Sequence, residues 1–220
     1  MLVESFAAPM FATNCWVLAS GPGSECIVID PGMPDVSHQL SAILDEFSLK
    51  PVAVLATHGH VDHTFSIRPI ADGYDIPAYI HSQDRGSLLR PDRWVSPEFA
   101  ATLQALEFVE PGDVRELRNG EVIEIVGLRI TTIHAPGHTR GSVMFEVNEE
   151  VLVSGDVLFA GSIGRTDQPT GSAKDMDETL RKKVLPLSDH LQVLPGHGRT
   201  TTMAQERKNN PYLNSIKGRY

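Results

Sequence analysis

The chain reads as a layered α/β fold, and three observations point there. Short β-like runs are followed by amphipathic helical stretches in each half of the sequence. The length of 220 residues suffices to bury a full core in one domain without disulfide support. Metal-type side chains recur just after apolar runs, and layered α/β folds collect functional residues at such strand ends.

Residues 2–8, 14–19 and 25–30 form short strands, the last two joined by the turn Ser20-Gly21-Pro22-Gly23-Ser24. Apolar residues at Val36, Leu40, Ile43, Leu44 and Phe47 recur with a helical period and predict a helix over 35–47. An apolar strand over 52–56 leads directly into a histidine-rich segment, and another precedes His81. The second half repeats the rhythm. Strands at 122–126, 128–134, 142–147 and 151–154 are followed by a helix over 172–184 and a strand over 191–194. Between the halves, residues 84–117 have weak periodicity broken by Pro91, Pro97 and Pro111, as expected of a lid or pocket edge.

Nineteen Lys and Arg against 28 Asp and Glu give a net charge of −9. This is the wrong sign for nucleic-acid binding, which draws its affinity from cations that neutralise phosphates. No apolar run approaches the ~20 residues of a membrane span. The N-terminus lacks a basic, then apolar, leader pattern. A cytoplasmic protein acting on a small molecule is the expectation. Cys15 and Cys26 are too few for a disulfide framework and are expected as buried, reduced residues in adjacent strands.

The chemistry begins at Thr57-His58-Gly59-His60-Val61-Asp62-His63. Alternate residues on a strand-end loop point the same way, so His58 and His60 can converge on one ion. A helix starting there would turn Asp62 and His63 toward a second ion. Imidazole nitrogen and carboxylate oxygen suit zinc at ~2.0–2.2 Å, and also iron or manganese. Three further metal-type residues sit beside glycine just past apolar runs: His138 in Pro136-Gly137-His138-Thr139, Asp156 in Ser154-Gly155-Asp156, and His197 in Pro195-Gly196-His197-Gly198. Together they complete a two-metal set.

These motifs resemble the metallo-β-lactamase-fold superfamily from about residue 14 to residue 213. Within it the chain is most similar to the short glyoxalase II-like hydrolases, through Asn14-Cys15-Trp16, Asp30-Pro31-Gly32, Gly161-Ser162-Ile163-Gly164-Arg165-Thr166-Asp167 and Asn210-Pro211-Tyr212-Leu213. The resemblance implies a four-layer αββα sandwich of two mixed sheets, with residues 1–220 as a single domain and no separate C-terminal helical domain for glutathione. It also implies two divalent ions, most simply Zn2+. His58, His60 and His138 would hold the first, and Asp62, His63 and His197 the second. Asp156 would bridge the two, making Asp62 and Asp156 the catalytic carboxylates. Asp30 would be an outer carboxylate that orients ligands, and Arg165, nine positions after Asp156, would contact the substrate. The implied reaction is cleavage of a thioester of a low-molecular-weight thiol by metal-activated hydroxide, with iron-dependent persulfide dioxygenase or lactonase chemistry as the alternatives. Ser142 and Ser154 lie outside any Gly-x-Ser-x-Gly elbow and are expected to be structural. His134, four residues before His138, is a candidate outer partner. Phe65 is expected in the core.

Overall fold

The computed structural model describes residues 1–217 and contains two six-stranded sheets. The first runs in chain order through β1 (Leu2–Ala7), β2 (Asn14–Ala19), β3 (Glu25–Ile29), β4 (Lys50–Leu55), β5 (Ala78–His81) and β6 (Val114–Leu117). Its first three strands are antiparallel and the last four parallel. The second sheet comprises β7 (Val122–Ile125), β8 (Leu128–His134), β9 (Val143–Val147), β10 (Val151–Gly155), β11 (Gln192–Pro195) and β12 (Thr201–Thr202). Only the β10–β11 pair is parallel among the pairings of this sheet.

Side-chain alternation sets the layers. Successive residues of a strand face opposite sides of its sheet, so Trp16, Leu18, Ile27 and Ile29 join Ile130, Val143, Phe145 and Val153 in the core between the sheets. Their neighbours Cys15, Val17, Cys26 and Val28 face outward, where they meet Leu40 and Leu44 of α1 (Ser37–Phe47) and Ile67 and Ile70 of α3 (Ile67–Tyr74). On the other side, Met144, Leu152 and Val193 pack against Met176 and Leu180 from the helical segment α6 (Ala173–Thr179) and its π-turn continuation (Leu180–Val184). Met203 of α7 (Met203–Asn209) and Leu213 of α8 (Pro211–Lys217) complete that layer. Helix, sheet, sheet, helix is the order expected from the sequence. Cys15 and Cys26 are buried, free and in adjacent strands, and burial pushes the Cys26 thiol up to about 12.

The 84–117 stretch begins inside α4 (Ser82–Arg85) and continues through two single turns (Gly86–Leu88 and Pro91–Arg93), α5 (Pro97–Leu103) and β6. Phe65, half-buried, packs with Phe99 and Phe108 against a small cluster of Met33, Val61 and Leu103, at the margin of the core rather than inside it. No helix among the described residues is long and apolar enough to cross a membrane.

Candidate metal centre

The centre lies where the carboxyl ends of β4, β8, β10 and β11 open into loops. The two sheets meet beside it, with Val143 N–H donating to the Thr57 carbonyl at 2.8 Å. His58 follows β4 in a bend and His60 in extended backbone. One helical turn, α2 (Val61–Thr64), then swings Asp62 and His63 inward. His138 arrives from the β8–β9 loop, Asp156 from the end of β10 and His197 from the end of β11. All seven residues foreseen from the sequence converge here.

They form two triads whose donor atoms lie within 4.8 Å of one another, namely His58, His60 and His138, and Asp62, His63 and His197. In the first, His60 Nδ1 is 3.1 Å from His58 Nε2 and 2.8 Å from His138 Nε2. In the second, His197 Nε2 is 3.2 Å from His63 Nε2 and 3.3 Å from Asp62 Oδ2. Donors ~2.0–2.1 Å from a tetrahedral ion are ~3.3 Å apart, so the spacing fits a metal in each triad. Asp156 lies between them. Its Oδ1 is 3.5 Å from His63 Nε2, and its Oδ2 is 3.5 Å from both His138 Nε2 and His197 Nε2. Buried Asp156 Oδ1 has no hydrogen-bond partner, as expected of an atom built to meet a cation. Gly196 passes so close that a side chain there would strike Asp156 Oδ1 and His63 Cε1.

The outer contacts fix which ring nitrogen is free. His138 Nδ1 donates to the Arg165 carbonyl at 2.8 Å, and His197 Nδ1 to the Phe11 carbonyl at 3.1 Å. His63 Nδ1 donates to Asp30 Oδ2 at 2.9 Å. Thr57 Oγ1 gives its proton to the same Asp30 oxygen at 2.6 Å and is left to accept from His58 Nδ1 at 3.1 Å. Each of these histidines thus presents the Nε2 lone pair inward. Asp30 orients a histidine of each triad, one directly and one through Thr57.

Thr13 and Asp84 left no signal in the sequence, and Asn14 and Trp16 stood there in a motif without an assigned role. Thr13 Oγ1 donates to Asp62 Oδ2 at 3.1 Å. Asn14 and Trp16 pin the His197 loop by donating to the Pro195 carbonyl, with Asn14 also reaching Gly198. Asp84, fully buried, accepts from Gly59 N–H, Gly141 N–H and the Thr139 hydroxyl at 2.8, 2.7 and 2.5 Å. Four other residues foreseen from the sequence also find their places. Arg165 lines the cleft, its exposed guanidinium paired with both oxygens of Asp167 at 2.6 and 2.8 Å. Its backbone carbonyl holds His138. His134 does not support His138; it stacks on His81 with ring centroids 4.2 Å apart and bonds the Arg140 carbonyl. Ser142 and Ser154 are buried and bonded to neighbouring protein groups.

A cleft of about 550 Å³ opens over the triads, walled by Phe11, Val95, Phe99, Phe159, Arg165 and Gln168 among others. Val95 and Phe99 bring the 84–117 segment to the pocket edge. Residues 8–197 match the metallo-beta-lactamase superfamily. The chain belongs to that superfamily. Members similar to it include the hydroxyacylglutathione hydrolase GloC of Haemophilus influenzae, 32% identical over 98% of this chain and 99% of that protein. Among solved structures, the BLEG-1 B3 metallo-β-lactamase matches with a TM-score of 0.83 at 33% identity, covering 96% of this chain and 99% of that one. TTHA1623, solved in a di-iron-bound form, matches with a TM-score of 0.77 at 30% identity, covering 96% and 100%. As a superfamily member, the chain is a metallo-hydrolase with His and Asp clusters for a two-metal site.

The metal-free centre carries opposed proton preferences. Burial first, and neighbouring imidazoles with it, pushes His60 down to about 3. Burial likewise takes His138 to about 4, against the opposing pull of the Arg165 carbonyl. His63 is also penalised by burial, but Asp156, Asp62 and Asp30 outweigh this and raise it to about 10. The linkage signs follow. His60 and His138 take protons only on unfolding, so stability is lost as pH falls from about 6.5 through about 3–4. The His63 contribution is full below about 6.5 and is lost as pH rises through about 10. Melting of the chelated protein followed from pH 4 to 10 should therefore peak near pH 6.5 and decline on both sides. Metal should abolish the alkaline decline by replacing the His63 proton. A melting temperature that climbs steadily from pH 6.5 to 10 without metal would contradict this.

Proposed function

We propose that this metallo-hydrolase cleaves a thioester of a low-molecular-weight thiol, in the manner of glyoxalase II, with two zinc ions. The observation that carries the reading is a pair of complete triads spanned by Asp156 beneath an open cleft. His58, His60 and His138 would hold one ion, Asp62, His63 and His197 the other, with Asp156 between them. The all-nitrogen and carboxylate set suits zinc, while iron or manganese would also be accepted. Whole-length similarity to a hydroxyacylglutathione hydrolase supports a thioester substrate, and the equal similarity to a B3 metallo-β-lactamase makes a lactam the competing one.

Bound at these triads, the ions would supply a Lewis acid and hydroxide at neutral pH. The chain supplies the rest. Asp30, Thr57 and the Phe11 and Arg165 carbonyls hold the imidazoles in their donor tautomers, so little rearrangement accompanies reaction. The hydroxyl on the cleft wall, Ser96, caps α5 by accepting from Phe99 N–H, so no wall hydroxyl is poised as a nucleophile. Free, buried cysteines agree with action in the reducing cytoplasm.

The test is an assay of separately zinc-, iron- and manganese-loaded protein against thioesters of glutathione and other thiols, with elemental analysis of each sample. Hydrolysis of a thioester by the two-metal zinc form is expected. Inertness toward every thioester, with oxygen consumption on a persulfide or turnover of a lactone, would overturn the reading.

A further inference from the structure

The cleft is uneven in polarity, and the hydrogen bonds show which side is which. The Phe11 carbonyl accepts from His197 Nδ1, and Phe11 lines the cleft together with that histidine of the second triad. Phe11 is 51% exposed and meets Phe99 edge-on, with centroids 5.3 Å apart. Phe159 packs edge-on against the His197 imidazole at 6.2 Å. Val95 completes an apolar wall drawn from three separate loops. On the side of the first triad, where the Arg165 carbonyl holds His138, the rim is Arg165 and Gln168. Arg165 is ion-paired with Asp167, and no lysine lines the cleft among the described residues.

Half-exposed Phe11 with partly buried Phe99 and Phe159, gathered at a reactive centre, marks an apolar subsite, because rings only partly covered gain from being covered further. Resting on the thioesterase reading, we infer that this cleft selects thioesters with an apolar acyl group of branched-chain or aryl size. Phe11 and Phe99 set the preference. The acyl group belongs on this wall because low-molecular-weight thiols carry polar groups, which the Arg165 and Gln168 rim suits better. The reaction balances without a further reagent. Water adds its oxygen to the acyl carbon, the C–S bond breaks, and the departing thiolate takes a proton to leave acid and thiol.

The experiment compares acetyl, D-lactoyl, isovaleryl and phenylacetyl thioesters of N-acetylcysteamine and of glutathione, each kcat/KM corrected for the ester's rate with hydroxide alone. The zinc enzyme should favour phenylacetyl over acetyl by about 10–100-fold, the range reached by filling an apolar pocket. Phe99→Ala and Phe11→Ala should each shrink that ratio to within about 3-fold, and Phe99→Leu and Phe11→Leu, which keep apolar bulk, should restore much of it. Melting and metal content measured on each variant separate a lost wall from a lost fold. A flat profile, a preference for lactoyl, or a ratio untouched in both alanine variants would overturn this inference and leave the thioesterase reading standing. Failure on all four esters with both thiols would remove that reading, and the inference with it.

Discussion

Asp156→Ala is expected to reduce bound metal to one ion or fewer per chain and to lower turnover by at least about a thousandfold, the upper range for losing one electrostatic contact to a transition state. The reason is geometric. Asp156 reaches donors of both triads, with His63 facing one carboxylate oxygen and His138 and His197 facing the other, all at 3.5 Å. Burial raises its carboxyl above the usual range, while His63 and His197 pull the other way. A carboxylate held in that balance gains most from a cation placed against it. Without it, two ions would face each other with no shared anion between them. The fold should survive, because Asp156 Oδ1 accepts no protein hydrogen bond whose donor alanine would orphan. Asp156→Glu should fare little better, since Gly196 already crowds Oδ1 and leaves no room for a longer arm. Circular dichroism, elemental analysis and turnover measured together decide the matter. An alanine variant that keeps two ions and near wild-type turnover would rule out bridging.

How much of this was legible in the sequence depends on what kind of signal each part leaves. The seven converging residues were readable because five are metal-type side chains beside glycine just past an apolar run, as in Gly137-His138 and Gly196-His197, and Asp62 and His63 follow them within the same histidine-rich segment. The layers were readable because buried strands such as β2 and β3 are apolar on both faces and bounded by clear turns. The edge strand β6 escaped because Val114-Arg115-Glu116-Leu117 is exposed in its middle and carries no alternating pattern. The orientation of His138 and His197 escaped for a different reason. It depends on the carbonyls of Arg165 and Phe11, and a backbone carbonyl has no residue identity to read. Position alone placed Arg165 at the cleft, and its neighbour Asp167 is the carboxylate its guanidinium meets there.

Asp84 is the residue whose loss should be felt furthest from where sequence reasoning looked. It sits on α4 without a neighbouring glycine or histidine to announce it, yet it ties the two sheets together at the centre. Its carboxylate accepts from Gly59 N–H, between His58 and His60, and from Thr139 and Gly141, immediately after His138. The loops approach so closely that a Cβ at Gly59 would meet Asp84 Cβ at 3.1 Å, and one at Gly141 would meet Asp84 Cγ at 2.5 Å. Burial pushes the carboxyl up, and the three donors oppose that push. Asp84→Ala leaves the Gly59 and Gly141 amides without this acceptor, while the Thr139 hydroxyl keeps Ser142, a cost of about 2–6 kcal/mol at roughly 1–3 kcal/mol for each orphaned amide. For a chain of this size that lowers Tm by about 4–24 °C. The effect on metal should be unequal. The tie spans the loops that carry His58, His60 and His138, whereas Asp62, His63 and His197 are held by Thr13, Asp30 and the Phe11 carbonyl. Cobalt titration of Asp84→Asn should therefore show weakened binding at the three-histidine site, by about 10–100-fold as for other outer supports of ligands, with the second site closer to wild type. Thr139→Val, which removes one of the three donors, should give a smaller loss in the same direction. Equal weakening of both sites would make Asp84 a strut for the whole fold, whereas unequal weakening makes it the residue that sets the spacing of the first triad.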